Sequence, residues 1–172
     1  GVPQEVGGRL GVLALQGDSN YYHFTMDVLP RLGVLEQCPE VAAPDLWYAP
    51  KAEEFQRELL TLMGVDLDQV IDSSQTRHVV AETLVVPSPP AMTVINPPWS
   101  VEYLRAKLLP TPIGRVDGKA IYVKRGGGMN NRRVDNEEAL MDYLTGRGFE
   151  VMSPEKLHAG EKIEAFAQAS LV

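Results

Sequence analysis

The residues best suited to acid–base chemistry stand in one short stretch, SNYYHFTMDVLPRL, which runs from Ser19 to Leu32. His23, Asp27 and Arg31 follow one another at intervals of four residues, so on a helix their side chains share one face. A carboxylate beside a histidine either accepts a proton itself or holds the imidazole in the tautomer that does so. The alternative is a structural face, in which Asp27 and Arg31 form a surface ion pair and His23 bonds to the core or the backbone.

A second stretch, IYVKRGGGMNNRRVDNEE, carries groups suited to binding an anion. Arg125 follows a predicted strand, Arg132 follows a run of glycines, and Asn136 stands where a helix is expected to begin. Guanidinium groups stay charged and bond phosphate in a fork, and glycines let backbone N–H groups approach it. A diphosphate is therefore the expected guest. The stretch matches neither the dinucleotide fingerprint nor the P-loop pattern, so a glycine-rich turn with exposed arginines is the alternative.

The other candidate metal ligands do not form a recognisable set. His78 and His158 lie in segments unrelated to His23, and neither completes a metal site with it. Asp66 and Asp68 have the spacing of an Asp-x-Asp metal motif, but they stand in a turn, and we interpret them as a helix cap. We therefore predict no metal and no cofactor.

Composition limits the classes of protein to which the chain can belong. Its 172 residues, 44% of them hydrophobic and 23% charged, suit one domain or two small ones with a buried core. A net charge of −7 argues against a general nucleic-acid binder. Cys38 is the single cysteine, which favours a reducing compartment. No apolar run approaches the roughly 18 residues of a membrane span, and no signal-peptide pattern opens the chain. We expect a cytoplasmic location, with membrane association and homo-oligomerisation left open.

Alternating strands and helices must position these groups. Short apolar runs in the first part predict strands at 10–15, 45–49, 70–71 and 83–86. A helix starting at Tyr21 and another opened by Pro50 alternate with them, and prolines between 87 and 98 predict a loop. The inward residues are expected to be Phe24, Val28, Leu32 and Leu35 in the first helix and Phe55, Leu59, Leu62 and Met63 in the second.

The second part repeats the alternation. It predicts strands at 120–123 and 149–152, helices at 137–144 and 160–169 with Ile163 and Phe166 inward, and the start of a third strand at 170–172. Strand–helix repeats of this length imply parallel pairing and an α/β fold. We place a first lobe at 1–108, a linker at 109–118 and a second lobe at 119–172.

Together the two stretches resemble glycosyltransferase family 61, which includes bacterial capsular polysaccharide enzymes and eukaryotic xylosyl- and N-acetylglucosaminyltransferases. NYYHFTMDVLPRL is similar to the Asn-Tyr-Tyr-His-Phe, Asp and Leu-Pro-Arg block of that family. IYVKRGGGMNNRRVDNEEALMDYLTGRGFEVMSPEKL is similar to its strand, Arg, loop, Arg, Asn-Glu and Gly-Phe-Glu-Val segment. The resemblance spans about Leu10 to Val172, nearly the whole chain.

The resemblance implies an inverting glycosyltransferase of GT-B type, in which two Rossmann-like lobes hold the acceptor and base on the first lobe and the nucleotide sugar on the second. Carried over by position, His23 and Asp27 lie at the acceptor side, with Asp27 as the candidate base. Arg125 and Arg132 lie on the donor diphosphate, and Asn136 organises the loop or helix start. The implied partners are a nucleotide sugar and a saccharide or other hydroxyl acceptor, in polysaccharide or glycoconjugate synthesis.

The family continues, after a segment like AQASLV, into a Gly-Pro-His-Gly-Ala-Gly-Leu-Thr-Asn type block that contributes to the donor site, whereas this sequence ends at Val172. We therefore expect an incomplete second lobe, and weak donor binding or inactivity of the 172 residues by themselves. The alternative function is a non-catalytic module for sugar or phosphate binding or for assembly. An unrelated Rossmann-like hydrolase or oxidoreductase ranks last, because a Gly-x-Ser-x-Gly elbow and a dinucleotide fingerprint are both missing.

Overall fold

The computed structural model describes residues 2–92, 95–109, 117–125 and 134–172. The chain divides into two compact units, Gly1–Leu108 and Leu109–Val172. In the described ranges both units contain parallel strands in alternation with helices, so the predicted α/β class is confirmed. Most of the predicted linker, 109–118, lies outside the described residues. No helix within the described ranges is both long and apolar enough to cross a bilayer.

The described strands of the first unit form one parallel sheet in the spatial order β3-β2-β1-β4. They are β1 (Gln4–Val12), β2 (Leu46–Ala49), β3 (Val70–Asp72) and β4 (Val79–Val85). The chain runs outward from β1 to β3 and then returns to the other side of β1 as β4. This reversal is the topological switch point of the sheet. In open parallel sheets, ligands bind beyond the carboxyl ends of the strands at such a point.

The helices of the first unit follow the strands closely. In the described ranges they are α1 (Tyr21–His23), α2 (Pro30–Glu36), α3 (Glu54–Leu62) and α4 (Pro98–Leu108). Between α1 and α2 the chain forms a π turn, Phe24–Val28, in which the N–H of Leu29 bonds the carbonyl of Phe24 at 3.1 Å. The wide turn is accounted for by Pro30, which has no N–H to continue an α-helical ladder.

The stripe predicted on the first helix forms the centre of this core. Phe24 and Val28 are fully buried, and Leu32 is almost so. The ring of Phe55 meets Phe24 edge to face, with 5.7 Å between the ring centroids. This part of the predicted core is confirmed.

The inward face of α3 follows the prediction in part. Leu59 and Met63 are buried as expected, whereas Leu62 is exposed.

Gln56 and Leu60, one helical turn apart on α3, are buried in addition. Gln56 is satisfied there, because its side-chain oxygen accepts from the N–H of Glu53 at 2.9 Å and its amide donates to the carbonyl of Asp18 at 3.0 Å. A glutamine whose side-chain oxygen and amide are both hydrogen-bonded costs little to bury. The spacing of apolar residues does not identify such a position.

Helix α4 packs directly on α2 at a glycine. A Cβ atom built at Gly33 would lie 3.0 Å from ring atoms of Tyr103, so any larger residue there would require the ring to move. The Tyr103 hydroxyl donates to Glu36 at 2.8 Å, and Lys107 lies 3.0 Å from the same carboxylate. Burial, together with the neighbouring Glu36 carboxylate, raises the pKa of Tyr103.

The second unit pairs β5 (Ala120–Val123) with β6 (Phe149–Met152) in parallel. Helix α5 (Glu137–Thr145) lies between them in sequence, and α6 (Ala159–Gln168) follows. Leu171 forms a parallel bridge to Ala120, the residue whose other neighbour is Phe149. The predicted start of a third strand is therefore confirmed, and the chain again reverses across the first strand of its sheet.

The core of the second unit is small and centres on Ile121, Met152 and Ala169. Phe166, expected inward, is 42% exposed, and the buried positions of α6 are Ala159 and Ala167 instead. Small residues suit a helix that lies close to its sheet. The prediction from the large apolar residues therefore misidentified the inward face of α6.

Candidate functional site

The segment after β1 leads into a capped helix start. Asn20 accepts hydrogen bonds from the N–H groups of Tyr22 at 2.9 Å and His23 at 3.4 Å, as an N-cap residue does. Gly17, with φ +91°, turns the chain ahead of this cap, and a Cβ atom there would lie 3.6 Å from Cδ2 of His23. The loop therefore lies alongside the imidazole and helps to fix its position.

His23 and Asp27 form a hydrogen-bonded pair. Nδ1 of His23 lies 2.8 Å from Oδ2 of Asp27, and the two side chains are 31% and 8% exposed respectively. With an ionised Asp27 the proton resides on Nδ1, which leaves Nε2 as the acceptor; this tautomer is assigned from the hydrogen bond. The arrangement offers an oriented imidazole supported by a buried carboxylate, and Nε2 makes no hydrogen bond with any residue in the described ranges.

Arg31 does not pair with Asp27, so the alternative of a surface ion pair is wrong. Arg31 is only 4% exposed, and it forms no ion pair with any described residue. Its Nε donates to the carbonyl of Pro87 at 2.8 Å and its Nη1 to that of Leu13 at 2.9 Å. Asp27 lies within the π turn and Arg31 lies after it in α2, and a wide turn rotates the residues after it relative to those in an α-helix of regular spacing. Burial lowers the pKa of Arg31.

These contacts locate the site within the sheet. Leu13 directly follows β1, and Pro87 closely follows β4, so Arg31 joins the carboxyl ends of the two strands that flank the switch point. The helical segment that carries His23 and Asp27 follows β1 in the chain and leads directly into α2, which carries Arg31. The first unit therefore places its candidate acid–base pair where open parallel sheets bind ligands.

Two further carboxylates lie at this edge and serve local structure. Asp72 accepts from the N–H groups of Lys51 at 3.3 Å and Ser74 at 3.0 Å. Burial opposes its ionisation, but the hydrogen bonds from Ser74 and Lys51 prevail and lower the pKa of Asp72. Asp18 accepts from the N–H of Leu15 at 3.0 Å. Burial raises the pKa of Asp18, and the charge of Asp72 adds to that effect.

The predicted cap at Asp66 and Asp68 is confirmed. The carboxylate of Asp66 accepts from the N–H of Asp68 at 3.0 Å, at the start of a 3-10 turn, Leu67–Gln69. A carboxylate engaged in capping its own turn explains the Asp-x-Asp spacing without a metal.

In the second unit, Arg125 stands just beyond the carboxyl end of β5, again at the point where the chain reverses. Its backbone N–H donates to Oε1 of Glu137 at 2.9 Å, and the hydroxyl of Tyr122 donates to the same oxygen at 3.2 Å. Within the described ranges the guanidinium of Arg125 has no ion pair, and the residue is exposed. The Glu137 carboxylate thus fastens the start of α5 to the end of β5.

The other two predicted donor-side residues differ in what the structure says of them. Asn136 occupies the N-cap position of α5, but its side chain makes no capping hydrogen bond, and the residue is exposed. Arg132 lies outside the described residues. Because Asn136 precedes Glu137, and Glu137 bonds the amide of Arg125, the structure brings Asn136 and Arg125 to one end of the second sheet.

Two contacts at these sites were missed by sequence reasoning. The carbonyl partners of Arg31 had no sequence signal, because 56 residues separate Arg31 from Pro87. Glu137 had a signal, its place in the first turn of a helix after a glycine-rich loop, but a carboxylate there is most simply explained as complementing the helix dipole.

Comparison with known proteins gives one finding. A family model described as Glycosyltransferase 61 matches residues 21–172, which includes both candidate sites. No protein with a curated description and no solved structure gave a significant match.

Proposed function

Because the chain belongs to glycosyltransferase family 61, we propose that it carries an inverting transfer of a sugar from a nucleotide sugar to a hydroxyl acceptor. Family membership identifies a transferase with a sugar donor and an acceptor as substrates. In the proposal the two units correspond to the lobes of a GT-B enzyme, the first for the acceptor and the second for the donor. The observation that carries it is the 2.8 Å contact between His23 and Asp27 at the switch point of the first sheet.

We assign the base to Nε2 of His23 and a positioning role to Asp27. The sequence suggested Asp27 as the base, but its carboxylate is 8% exposed and is engaged by Nδ1 of His23. A base must come within hydrogen-bond reach of the proton that it removes, and the more exposed imidazole meets that requirement better. Asp27 then holds the tautomer and stabilises the imidazolium that forms.

The bonds and charges of the proposed sugar transfer can all be accounted for without a metal or cofactor. The acceptor oxygen bonds the anomeric carbon while the bond from that carbon to the diphosphate oxygen breaks, and the configuration inverts. The acceptor proton passes to His23, and the bonding electron pair leaves with the nucleoside diphosphate. Arg125 and Arg132 neutralise the departing charge, which is electrostatic stabilisation of the transition state. Asn136, whose side chain is not used as a cap, organises the adjacent loop.

Sugar transfer from a panel of nucleotide sugars to saccharide acceptors tests the base assignment. The protein encoded by the full reading frame is used. His23→Asn keeps a donor for Asp27 but removes Nε2, so we expect transfer to fall by about 100-fold or more. Asp27→Asn should retain more activity than His23→Asn. His78→Asn, at an exposed histidine, is the control and should transfer normally.

The opposite ranking of the two variants would return the base to Asp27. Substrate binding without turnover by the unmodified protein would favour the alternative of a non-catalytic binding module.

Calorimetry with UDP and GDP tests the donor side separately. Arg125→Ala and Arg132→Ala should each weaken nucleoside-diphosphate binding by about tenfold or more, because each removes a charge-assisted contact. Arg147→Ala is the matched control, since the guanidinium of Arg147 stacks on Tyr143 at 3.7 Å. Unchanged affinity in both test variants would remove the donor assignment.

A further inference from the structure

Tyr22 is an exposed aromatic residue directly beside the candidate base. Tyr22 is 39% exposed. Its ring centroid lies 5.4 Å from that of His23, and the two ring planes are at 78°. Among the described residues, the aromatic ring in contact with Tyr22 is that of His23. The two rings meet edge to face and do not stack in parallel, and the 39% exposure of Tyr22 leaves part of its ring open to a ligand.

The position of this ring is fixed from a distant part of the chain. Nδ2 of Asn96 donates to the hydroxyl of Tyr22 at 3.0 Å, across a separation of 74 residues. Both residues are exposed, so the hydrogen bond competes with water and contributes little to the stability of the fold. A solvent-exposed ring that is nevertheless held from two sides is pre-organised, and pre-organisation lowers the cost of binding a partner.

We propose that Tyr22 is the platform on which the acceptor sugar packs, and that the acceptor is a pyranose and not a non-saccharide alcohol. The C–H groups on one face of a pyranose form an apolar surface that fits an aromatic ring, while its hydroxyls need polar partners at the rim. Tyr22 and Asn96 supply both, since tyrosine combines an apolar body with a polar tip. A sugar seated there presents a hydroxyl next to Nε2 of His23, which is the positioning that transfer requires.

The inference rests on the proposed function for the identity of this sugar as acceptor. It goes beyond that function by choosing among the hydroxyl acceptors that the function leaves open, and by naming the side chain that makes the choice.

Saturation-transfer NMR on the 172-residue chain tests it with methyl glycosides of glucose, galactose, xylose and N-acetylglucosamine, and with glycerol and N-acetylserine amide as non-saccharide hydroxyl probes. At least one glycoside should bind with a Kd in the millimolar range, and saturation should concentrate on the C–H protons of one ring face. Tyr22→Ala should weaken that binding about tenfold or more. Tyr22→Phe keeps the ring and should lie within about threefold of the unmodified chain, with Asn96→Ala between the two.

Tyr143→Ala is the matched control, because Tyr143 is also an exposed tyrosine, 56% by area, but belongs to the second unit. It should leave glycoside binding unchanged. Equal binding by Tyr22→Ala and the unmodified chain would overturn the inference, and so would the failure of every glycoside to bind or tighter binding of the non-saccharide probes.

UDP and GDP titrations of Tyr22→Ala separate this inference from the proposed function. Normal nucleotide affinity with lost glycoside binding supports both. Nucleotide binding with Tyr22-independent glycoside binding removes the inference alone. Tyr22-dependent glycoside binding in a protein that transfers no sugar removes the proposed function and leaves a saccharide site.

Discussion

Nε of Arg31 donates a hydrogen bond to the carbonyl of Pro87 at 2.8 Å, although 56 residues separate the two in the chain. Nη1 of the same side chain reaches the carbonyl of Leu13 at 2.9 Å. One buried guanidinium therefore ties together the ends of β1 and β4, the strands on which the candidate acceptor site is built. We expect the main role of this contact to be stabilisation of the fold and not participation in the chemistry.

Arg31→Met should lower the free energy of unfolding by about 2 kcal/mol or more, because two buried carbonyls lose their partners. Arg31→Lys keeps the charge without the fork, and it should fall between Arg31→Met and the unmodified chain. Urea denaturation monitored by circular dichroism measures both. Arg105→Met, at an exposed arginine of α4, serves as the control and should change stability by less than about 0.5 kcal/mol. An unchanged free energy of unfolding in Arg31→Met would show that the two carbonyls find other partners.

Gly33→Ala should destabilise the first unit, by about 1 to 3 kcal/mol. The added Cβ atom would lie 3.0 Å from the ring of Tyr103, whose hydroxyl is held by Glu36 at 2.8 Å, so the ring cannot easily withdraw. Thermal unfolding measures the effect. Gly160→Ala in α6 is the matched control, because nothing lies within 4 Å of its Cβ position. Alanine is the better helix former, so the control should be neutral or slightly stabilising, and equal losses at both glycines would contradict the packing argument.

Much of the fold could be predicted because it is specified by residues close together in the chain. The Phe24 and Val28 stripe follows from helical spacing, and the caps at Asn20 and Asp66 follow from side chains that bond their own neighbouring backbone. Parallel pairing, including the bridge at Leu171, follows from the regular alternation of strands and helices.

The parts that could not be predicted depend on contacts between distant residues. Pro30 was visible as a disturbance in a helix, but its consequence, a π turn, depends on how the chain satisfies its carbonyls afterwards. The partners of Arg31 and the tie between Asn96 and Tyr22 arise only once the strands are placed. The inward faces of α3 and α6 were predicted only in part, because Gln56 and Ala167 are buried for reasons that the spacing of large apolar residues does not indicate.

Asn20→Ala should cost about 1 kcal/mol, the usual effect of losing an N-cap side chain. Asn20 accepts from the N–H groups of Tyr22 and His23, so the loss falls at the helix start that positions the candidate base. Urea denaturation gives the stability change, and the exchange rates of these two amides with deuterium show whether it is local. Ser19→Ala, at the exposed neighbouring residue, is the control, and a similar loss there would argue against capping by Asn20.

The two carboxylates Asp72 and Asp18 should give the stability of the first unit opposite dependences on pH. The pKa of Asp72 is lowered from 3.8, because hydrogen bonds from Ser74 and Lys51 outweigh its burial. Its ionised form therefore stabilises the fold above about pH 4, and the contribution disappears as pH falls through the lowered pKa. Asp72→Asn should accordingly be less stable than the unmodified chain at about pH 6, and the difference should narrow towards about pH 3.

Asp18 supplies the internal control, since burial raises its pKa from 3.8. Its neutral form favours the fold below about pH 4, and that contribution is lost as pH rises through the raised pKa. Asp18→Asn, which cannot ionise, should therefore gain stability relative to the unmodified chain as pH increases above about 4. Thermal unfolding of the unmodified chain, the two single variants and the double variant across this range measures both slopes. Because the charge of Asp72 contributes to the raised pKa of Asp18, adding Asp18→Asn to the Asp72→Asn variant should give a smaller pH-dependent gain than adding it to the unmodified chain. Parallel curves for all four proteins would contradict both assignments.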